Sequence, residues 1–326
     1  MSNCGGITVI DGSNVRGAAD VSLPDHFSSA ITGAQVIELA ESKVTGCLPG
    51  ISFPESLKLP ALESVGVSDA VSFSITEFDQ ERALQKIKDY ISAIADRLDV
   101  DPLVVSILDG STPRLYLEDE DDFAMLAENL FTDLDVEDKG KLKKKEIQTA
   151  LDQMGMEMGI PPPSELPLLN DILKKNGAEG EEEVGQAQFA YILQPILQEI
   201  VDNLSKKPVV IVHNVKVASG ARIRKLLENE KQLDDVTEKI WQYQHEVSGH
   251  QQVSTKSIRT YLEKFGKELG LPPPEVDESA PLYDLAFDVA TKGEIGKDEF
   301  RELVKRILDS FAQQLNANPV FFEPEE

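Results

Sequence analysis

Residues 131–147 read FTDLDVEDKGKLKKKEI, and this segment decides the expected fold. Apolar residues recur at helical spacing before its charged centre and again after it. The first stripe consists of Phe123, Ala127, Leu130, Phe131 and Leu134, and the second of Ile147, Ala150, Leu151 and Met154. One glycine, Gly140, lies between the stripes, and glycine tolerates the backbone of a sharp turn. The sequence therefore predicts two helices that flank a tight turn at Gly140.

The residues around Gly140 carry oxygen atoms at the spacing of a cation-binding loop. A calcium loop of this type supplies ligands from positions 1, 3, 5, 7 and 12, with a bidentate Glu at 12 and Gly at 6. With Gly140 at position 6, the candidate ligands are the carboxylates of Asp135, Glu137 and Glu146 and the carbonyl of Lys141. Position 5 is Lys139, a cation where an oxygen is needed, so we expect weak calcium binding.

The chain repeats itself, and internal repeats indicate a fold built from similar units. Residues 159–163, GIPPP, return 111 positions later as GLPPP at residues 270–274. Residues 11–16, DGSNVR, resemble residues 109–114, DGSTPR. Prolines cannot continue a helix, so the proline segments separate successive helix–loop–helix elements.

These matches predict three repeats at residues 1–105, 106–212 and 213–326, and the last repeat ends in an acidic tail. A short β-branched strand begins each pattern, at residues 7–10, 104–108 and 209–212. Two helix–loop–helix elements follow in each of the two later repeats, while the first repeat is an eroded copy. The expected fold class is mostly α, with tandem helix–loop–helix pairs and short β-strands before each pair.

The other loops have fewer candidate ligands. In the last one, Asp288, Glu294 and Glu299 take positions 1, 7 and 12, whereas Ala290 and Lys292 fill positions 3 and 5. The loop before Phe189 contains three extra residues within 180–183 and ends in Gln188 rather than Glu. We therefore expect the strongest site at 135–146 and a weaker one at 288–299.

This pattern resembles the EF-hand superfamily, and the strand with Asp-Gly-Ser-Thr-x-Arg before the pair resembles plant EF-hand calcium-binding family proteins. The resemblance covers nearly all of residues 105–326 and, faintly, residues 7–105. It implies calcium sensing or buffering, with Ca²⁺ bound at Asp135, Glu137, Lys141 and Glu146. It also implies that paired hands take up an amphipathic helix or basic peptide of another protein.

The charge and composition narrow the classes of partner. The net charge is −26, which opposes binding to phosphate backbones and favours cations and basic peptides. The two cysteines, Cys4 and Cys47, are too few for a disulfide scaffold and are typical of a reducing compartment. The longest apolar runs are too short to span a bilayer. We expect a cytoplasmic protein that binds neither nucleic acid nor membranes.

Two alternative functions remain open. The framework without a working calcium loop would serve as a calcium-independent helical adaptor, with Met154, Met156 and Met158 near a groove. More remotely, residues 9–15, VIDGSNV, resemble the first metal-carboxylate strand of PIN-like ribonucleases, which would make Asp11 a magnesium ligand. No nucleophile–base pair is evident, so we expect no enzyme. Residues 143–145, three lysines, are interpreted as a solvated face on the helix that leaves the loop.

Overall fold

The computed structural model describes residues 7–22, 30–48, 50–51, 53–67, 69–248, 255–288 and 297–324. Within these residues the chain forms fifteen α-helices and nine short strands. The prediction of a mostly α protein with short strands is therefore confirmed. Of the same residues, none belongs to a helix long and apolar enough to cross a membrane.

The first repeat begins with a strand and ends with a long helix. Its elements are β1 Ile7–Ile10, α1 Gly12–Arg16, β2 Ile31–Thr32, α2 Gly33–Cys47, α3 Glu55–Ser64, α4 Ala70–Ile75, β3 Glu77–Phe78 and α5 Gln80–Val100. Strands β2 and β3 pair antiparallel, with Ile31 opposite Phe78.

The second repeat also begins with a strand and ends with a long helix and includes residues 131–147. Among the described residues, two helices rather than one precede its second strand, and two rather than three lie between its second and third strands. It consists of β4 Leu103–Leu108, α6 Ser111–Glu118, α7 Glu120–Leu134, β5 Leu142–Lys143, α8 Glu146–Met154, α9 Leu169–Lys175, β6 Glu183–Val184 and α10 Gln186–Lys206. Gly140 lies between α7 and α8 with φ of 67°. The predicted pair of helices around a tight turn at Gly140 is thus present.

The third repeat comprises β7 Val209–His213, β8 Lys216–Ala218, α11 Ala221–Glu228, α12 Glu230–Ser248, α13 Thr255–Phe265, α14 Ser279–Phe287, α15 Lys297–Ala317 and β9 Val320–Phe322. Strands β8 and β9 pair antiparallel. The strands that begin the three repeats form one sheet in the order β1-β4-β7. Each was predicted from its β-branched sequence to within one residue.

The chain divides into two compact units. The first holds Val105–His213 with short segments that end at Thr8 and Ile51, and the second holds Val9–Leu48, Ser52–Val104 and Asn214–Glu326. The first unit is built around the apolar face of α10, including the buried residues Phe189, Leu193, Ile196 and Ile200. In the second unit α15 has the same role, and α5 packs against α1, α2 and α3. The predicted boundaries near residues 105 and 213 stay predictions.

A glycine brings a short helix against a long helix in all three repeats. A Cβ atom added to Gly12, Gly110 or Gly220 would lie 2.2, 2.9 or 2.7 Å from a carbonyl oxygen of the long helix. These oxygens belong to Ala95, Val201 and Ala312, which occupy the same position in α5, α10 and α15. Each long helix contains 21 residues, and the contact falls at the same position in all three helices, so the three contacts are equivalent. This glycine, which follows the first strands in each repeat, therefore sets the spacing of the two helices.

Charged side chains join the first and third repeats within the second unit. Arg16 pairs with Asp99, whose carboxylate also accepts a hydrogen bond from the Gly12 amide at 3.0 Å. From α11, Arg224 lies 3.2 Å from the Asp11 carboxylate, and Lys225 lies 2.6 Å from Asp96. Burial raises the pKa of Asp99, although the neighbouring guanidinium of Arg16 opposes that shift. Removing Arg16 would leave the buried Asp99 carboxylate without this ion pair.

The close approach of α1 to α5 predicts the effect of one methyl group. We expect Gly12→Ala to lower the free energy of unfolding by about 1–3 kcal/mol, because the added carbon must displace the α5 backbone or the Asp99 carboxylate. Urea denaturation followed by circular dichroism measures this change.

Gly17 provides the matched control. It has helical backbone angles, and no atom lies within 4 Å of an added Cβ. Gly17→Ala should therefore leave stability unchanged or raise it slightly. Equal destabilisation by both substitutions would disprove the role of the helix contact.

Candidate functional site

The candidate site is the loop between α7 and α8 in the first unit. Asp135 ends α7, and its carboxylate accepts hydrogen bonds from the Lys139 amide at 2.9 Å and the Gly140 amide at 2.6 Å. Asp138 has φ of 51° and Gly140 has φ of 67°, which turns the backbone around this carboxylate. The side chain at loop position 1 therefore organises the turn through two backbone amides.

The other two candidate carboxylates are also occupied. Glu137 forms an ion pair with Lys139, the residue at position 5. Glu146 begins α8, and its carboxylate accepts a hydrogen bond from the Lys143 amide at 2.6 Å. The side chain of Lys141 reaches Glu183 at 3.6 Å. Of the residues that the structure describes, no three His, Cys, Asp or Glu side chains are grouped closely enough to hold a metal ion.

An apolar contact joins this loop to the loop between α9 and α10. Strands β5 and β6 pair antiparallel, with Leu142 opposite Val184 and both side chains buried. Behind them, the rings of Phe131 and Phe189 meet edge to face with centroids 5.6 Å apart. Leu142 and Val184 therefore give the two loops a shared apolar contact, and Phe189 lies behind it in the core of the first unit.

Lysines of one loop pair with glutamates of the other. Lys143 and Lys145 both contact Glu181, at 2.7 and 2.5 Å, and Lys144 contacts Glu182 at 2.5 Å. The Lys144 amide also donates to the Glu182 carbonyl at 3.0 Å. The two loops thus carry opposite charges along one interface. Two lysine side chains lower the pKa of Glu181 to about 2.

The interpretation of residues 143–145 as a solvated face of the exiting helix was wrong. Helix α8 begins only at Glu146, so the three lysines lie in the loop and on β5. There they face residues 181–183, which sequence analysis had treated only as an insertion. The signal was present in the sequence, because a run of three lysines and a run of three glutamates have opposite charge. That the two runs are neighbours is evident only from the pairing register of β5 and β6.

The weaker candidate loop is described only at its two ends. Asp288 is exposed and follows α14, and its amide donates to the carbonyls of Asp284 and Leu285. Glu299 is exposed in the first turn of α15. Glu294, Ala290 and Lys292 lie outside the described residues. His26, His250 and the side chain of His245 also lie outside them.

The residues of the alternative functions have structural partners. Asp11 caps α1, accepting from the Ser13 amide at 2.9 Å, and forms the ion pair with Arg224. Met154 is buried in the core of the first unit, and Met158 packs against that core. Met154 is therefore a core residue, and Met158 lies at the edge of the core.

The ion pairs between the loops predict a pH dependence. The pKa of Glu181 lies below its ordinary value of 4.5, so its pairing stabilises the loops above that value and is lost as the pH falls toward about 2. A ¹³C NMR titration of the Glu181 carboxyl should give a pKa of about 2 at low ionic strength. In the double variant Lys143→Gln, Lys145→Gln the pKa should return toward 4.5, as it should in concentrated salt. Titration of wild-type Glu181 near 4.5 would contradict this assignment.

No protein-family model, curated protein or solved structure matches the chain.

Proposed function

We propose that the chain binds calcium at residues 135–146, as a degenerate EF-hand protein of the sensor or adaptor type with one weak site. The observation that carries this proposal is the pairing of two helix–loop–helix elements through Leu142 and Val184 beside a loop with Asp135, Gly140 and Glu146 at positions 1, 6 and 12. A backbone carbonyl at position 7 precedes that pairing, as calcium coordination requires.

The conformation of Asp135 supports ion binding at this end of the loop. Its hydrogen bonds to the amides of Lys139 and Gly140 hold the carboxylate inside the turn. A ligand that is already oriented loses less conformational entropy when the ion arrives. Glu146 must exchange its hydrogen bond from the Lys143 amide for the ion. Calcium would therefore rearrange the start of α8, which is the kind of change that a sensor transmits.

Lys139 sets the expected weakness. Its ammonium group pairs with Glu137, and the negative charge of Glu137 raises the pKa of Lys139. Calcium must displace this lysine before it gains the carboxylate at position 3. Position 5 then supplies no side-chain oxygen. Both effects reduce affinity, since the number of charged oxygen ligands tunes calcium binding.

The second candidate, a calcium-independent helical adaptor, is favoured by one specific observation. The ion pairs from Lys143, Lys144 and Lys145 to Glu181 and Glu182 link the two loops directly through side chains. In that case the pair of hands would keep one conformation at all calcium concentrations. Under either function the net charge of −26 favours a basic peptide or basic amphipathic helix as partner.

Calorimetric titration with calcium at low ionic strength separates the two candidates. We expect weak binding at one site, and native mass spectrometry should show one calcium ion per chain. Glu146→Gln removes the bidentate ligand and should abolish the heat. The matched control Glu157→Gln changes an exposed glutamate of the same unit and should bind as the wild type does.

A gain-of-function variant makes the test decisive. Lys139→Asp places an oxygen at position 5 and removes the competing ammonium group, so binding should tighten by about tenfold or more. Lys207→Asp makes the same change of charge after α10 and controls for long-range electrostatics. If Lys139→Asp binds no calcium at millimolar concentration, the loop is not a calcium site and the adaptor function remains.

A further inference from the structure

A cavity of about 360 Å³ lies in the second unit, whereas the candidate calcium loop belongs to the first unit. The end of α5, the paired strands β8 and β9, and the turn at Gly270 form its walls. This volume falls in the range of small-molecule sites. Its lining includes none of the residues assigned to calcium binding or to the paired loops.

The charges around this cavity are unusual for so acidic a chain. Four cationic side chains line it, together with one carboxylate, that of Asp101; the cations are Arg97, Lys216, Arg222 and Lys267. Lys216 lies 2.6 Å from one oxygen of Asp101, and Arg97 lies 3.7 Å from the other. Both oxygens of the carboxylate are thus shared with cations, and an excess of positive charge remains.

Arg222 lines the cavity without an ion pair to this carboxylate. Within the described part of the chain its guanidinium forms no ion pair or hydrogen bond. Its aliphatic stem lies against the backbone of Gly270, because a Cβ added to Gly270 would be 2.9 Å from the Cβ of Arg222. In the second repeat Gly159 packs in the same way on Thr112. The third repeat therefore keeps this contact but places a charged side chain in it.

An apolar surface faces these cations. Strand pairing places Lys216 directly opposite Phe322, and both residues line the cavity. Val217 and the buried Leu271 continue the apolar wall. A site with a few fixed polar groups on an apolar lining selects ligands with a charged head and an apolar body.

We propose that this cavity binds a small organic dianion, either a phosphomonoester or a dicarboxylate with an apolar body. Arg222 and Lys216 contact the anionic head, and Phe322 contacts the body. A guanidinium suits this role, because its planar donors match the paired oxygens of carboxylates and phosphates. Arg222 is held along Gly270 before the ligand arrives, which reduces the entropy lost on binding.

The net charge of −26 does not prevent this binding. At physiological ionic strength the Debye length is about 8 Å, so remote carboxylates are screened and the local cations dominate. A neighbouring cavity of about 380 Å³ shares Arg222 but also contains Asp235 and Glu268. Its more balanced charge makes it the weaker candidate for an anion.

Titration of the ¹⁵N-labelled full chain with phenyl phosphate tests the proposal. We expect saturable shifts of the amides of Lys216, Gly270 and Leu271 at submillimolar to millimolar ligand. Phthalate presents two carboxylates on the same ring, and inorganic phosphate lacks the ring. Binding of phenyl phosphate alone identifies phosphomonoesters, and equal binding of phthalate identifies dianions in general. Equal binding of inorganic phosphate would disprove the role of the apolar wall.

Substitution of the central cation provides the decisive comparison. Arg222→Gln keeps most of the stem and should weaken phenyl phosphate binding about tenfold. Arg306→Gln removes the same charge from an exposed position of α15 in the same unit and should leave binding unchanged. A thermal melt checks that both variants fold. Equal weakening by both, or no saturable shift in the wild type, overturns the proposal and leaves the calcium loop unaffected.

Discussion

In each of the three repeats, a short helix lies so close to a long helix that no side-chain carbon fits between them. The contact uses Gly12, Gly110 and Gly220 and falls on the same turn of α5, α10 and α15. Because interiors are close-packed, this approach fixes where the short helix ends and where the next helix begins. In the two later repeats a second glycine, Gly159 or Gly270, closes the proline segment onto that short helix. The repeated architecture depends on these backbone contacts more than on any charged group.

The two paired loops of the first unit are held together by an apolar contact and by opposite charges. Leu142 of one loop and Val184 of the other are both buried, and Phe131 and Phe189 pack behind them. Exposed ion pairs each contribute little, about 0–1 kcal/mol, but the lysines and glutamates of these loops form a connected set. The apolar contact therefore supplies most of the stabilisation, while the charges fix which loop faces which. A loop held by such apolar contacts can keep its conformation when its oxygen-bearing side chains are replaced.

Much of the fold followed from the sequence, because its determinants are local. The β-branched strands, the two helices that flank Gly140 and the turn at Gly140 are encoded by neighbouring residues, so periodicity and glycine placement predicted them. Three features were missed because they depend on distant parts of the chain. They are the pairing of residues 143–145 with 181–183, the ion pairs of Arg224 and Lys225 with the first repeat, and the packing of Arg222 on Gly270. Each requires the register of strands or the packing of repeats that are far apart in sequence.

The division of the chain into two units has a consequence for biosynthesis. The first repeat belongs to the same unit as the third, and the second repeat lies between them in sequence. Asp11 and Asp96 therefore cannot meet Arg224 and Lys225 until the ribosome has added the whole of Val105–His213. At about 5–20 residues per second, this delay lasts on the order of ten seconds. During that interval the second repeat can complete its own core, and the nascent first repeat must wait for the rest of its unit, with Asp11 and Asp96 still without Arg224 and Lys225.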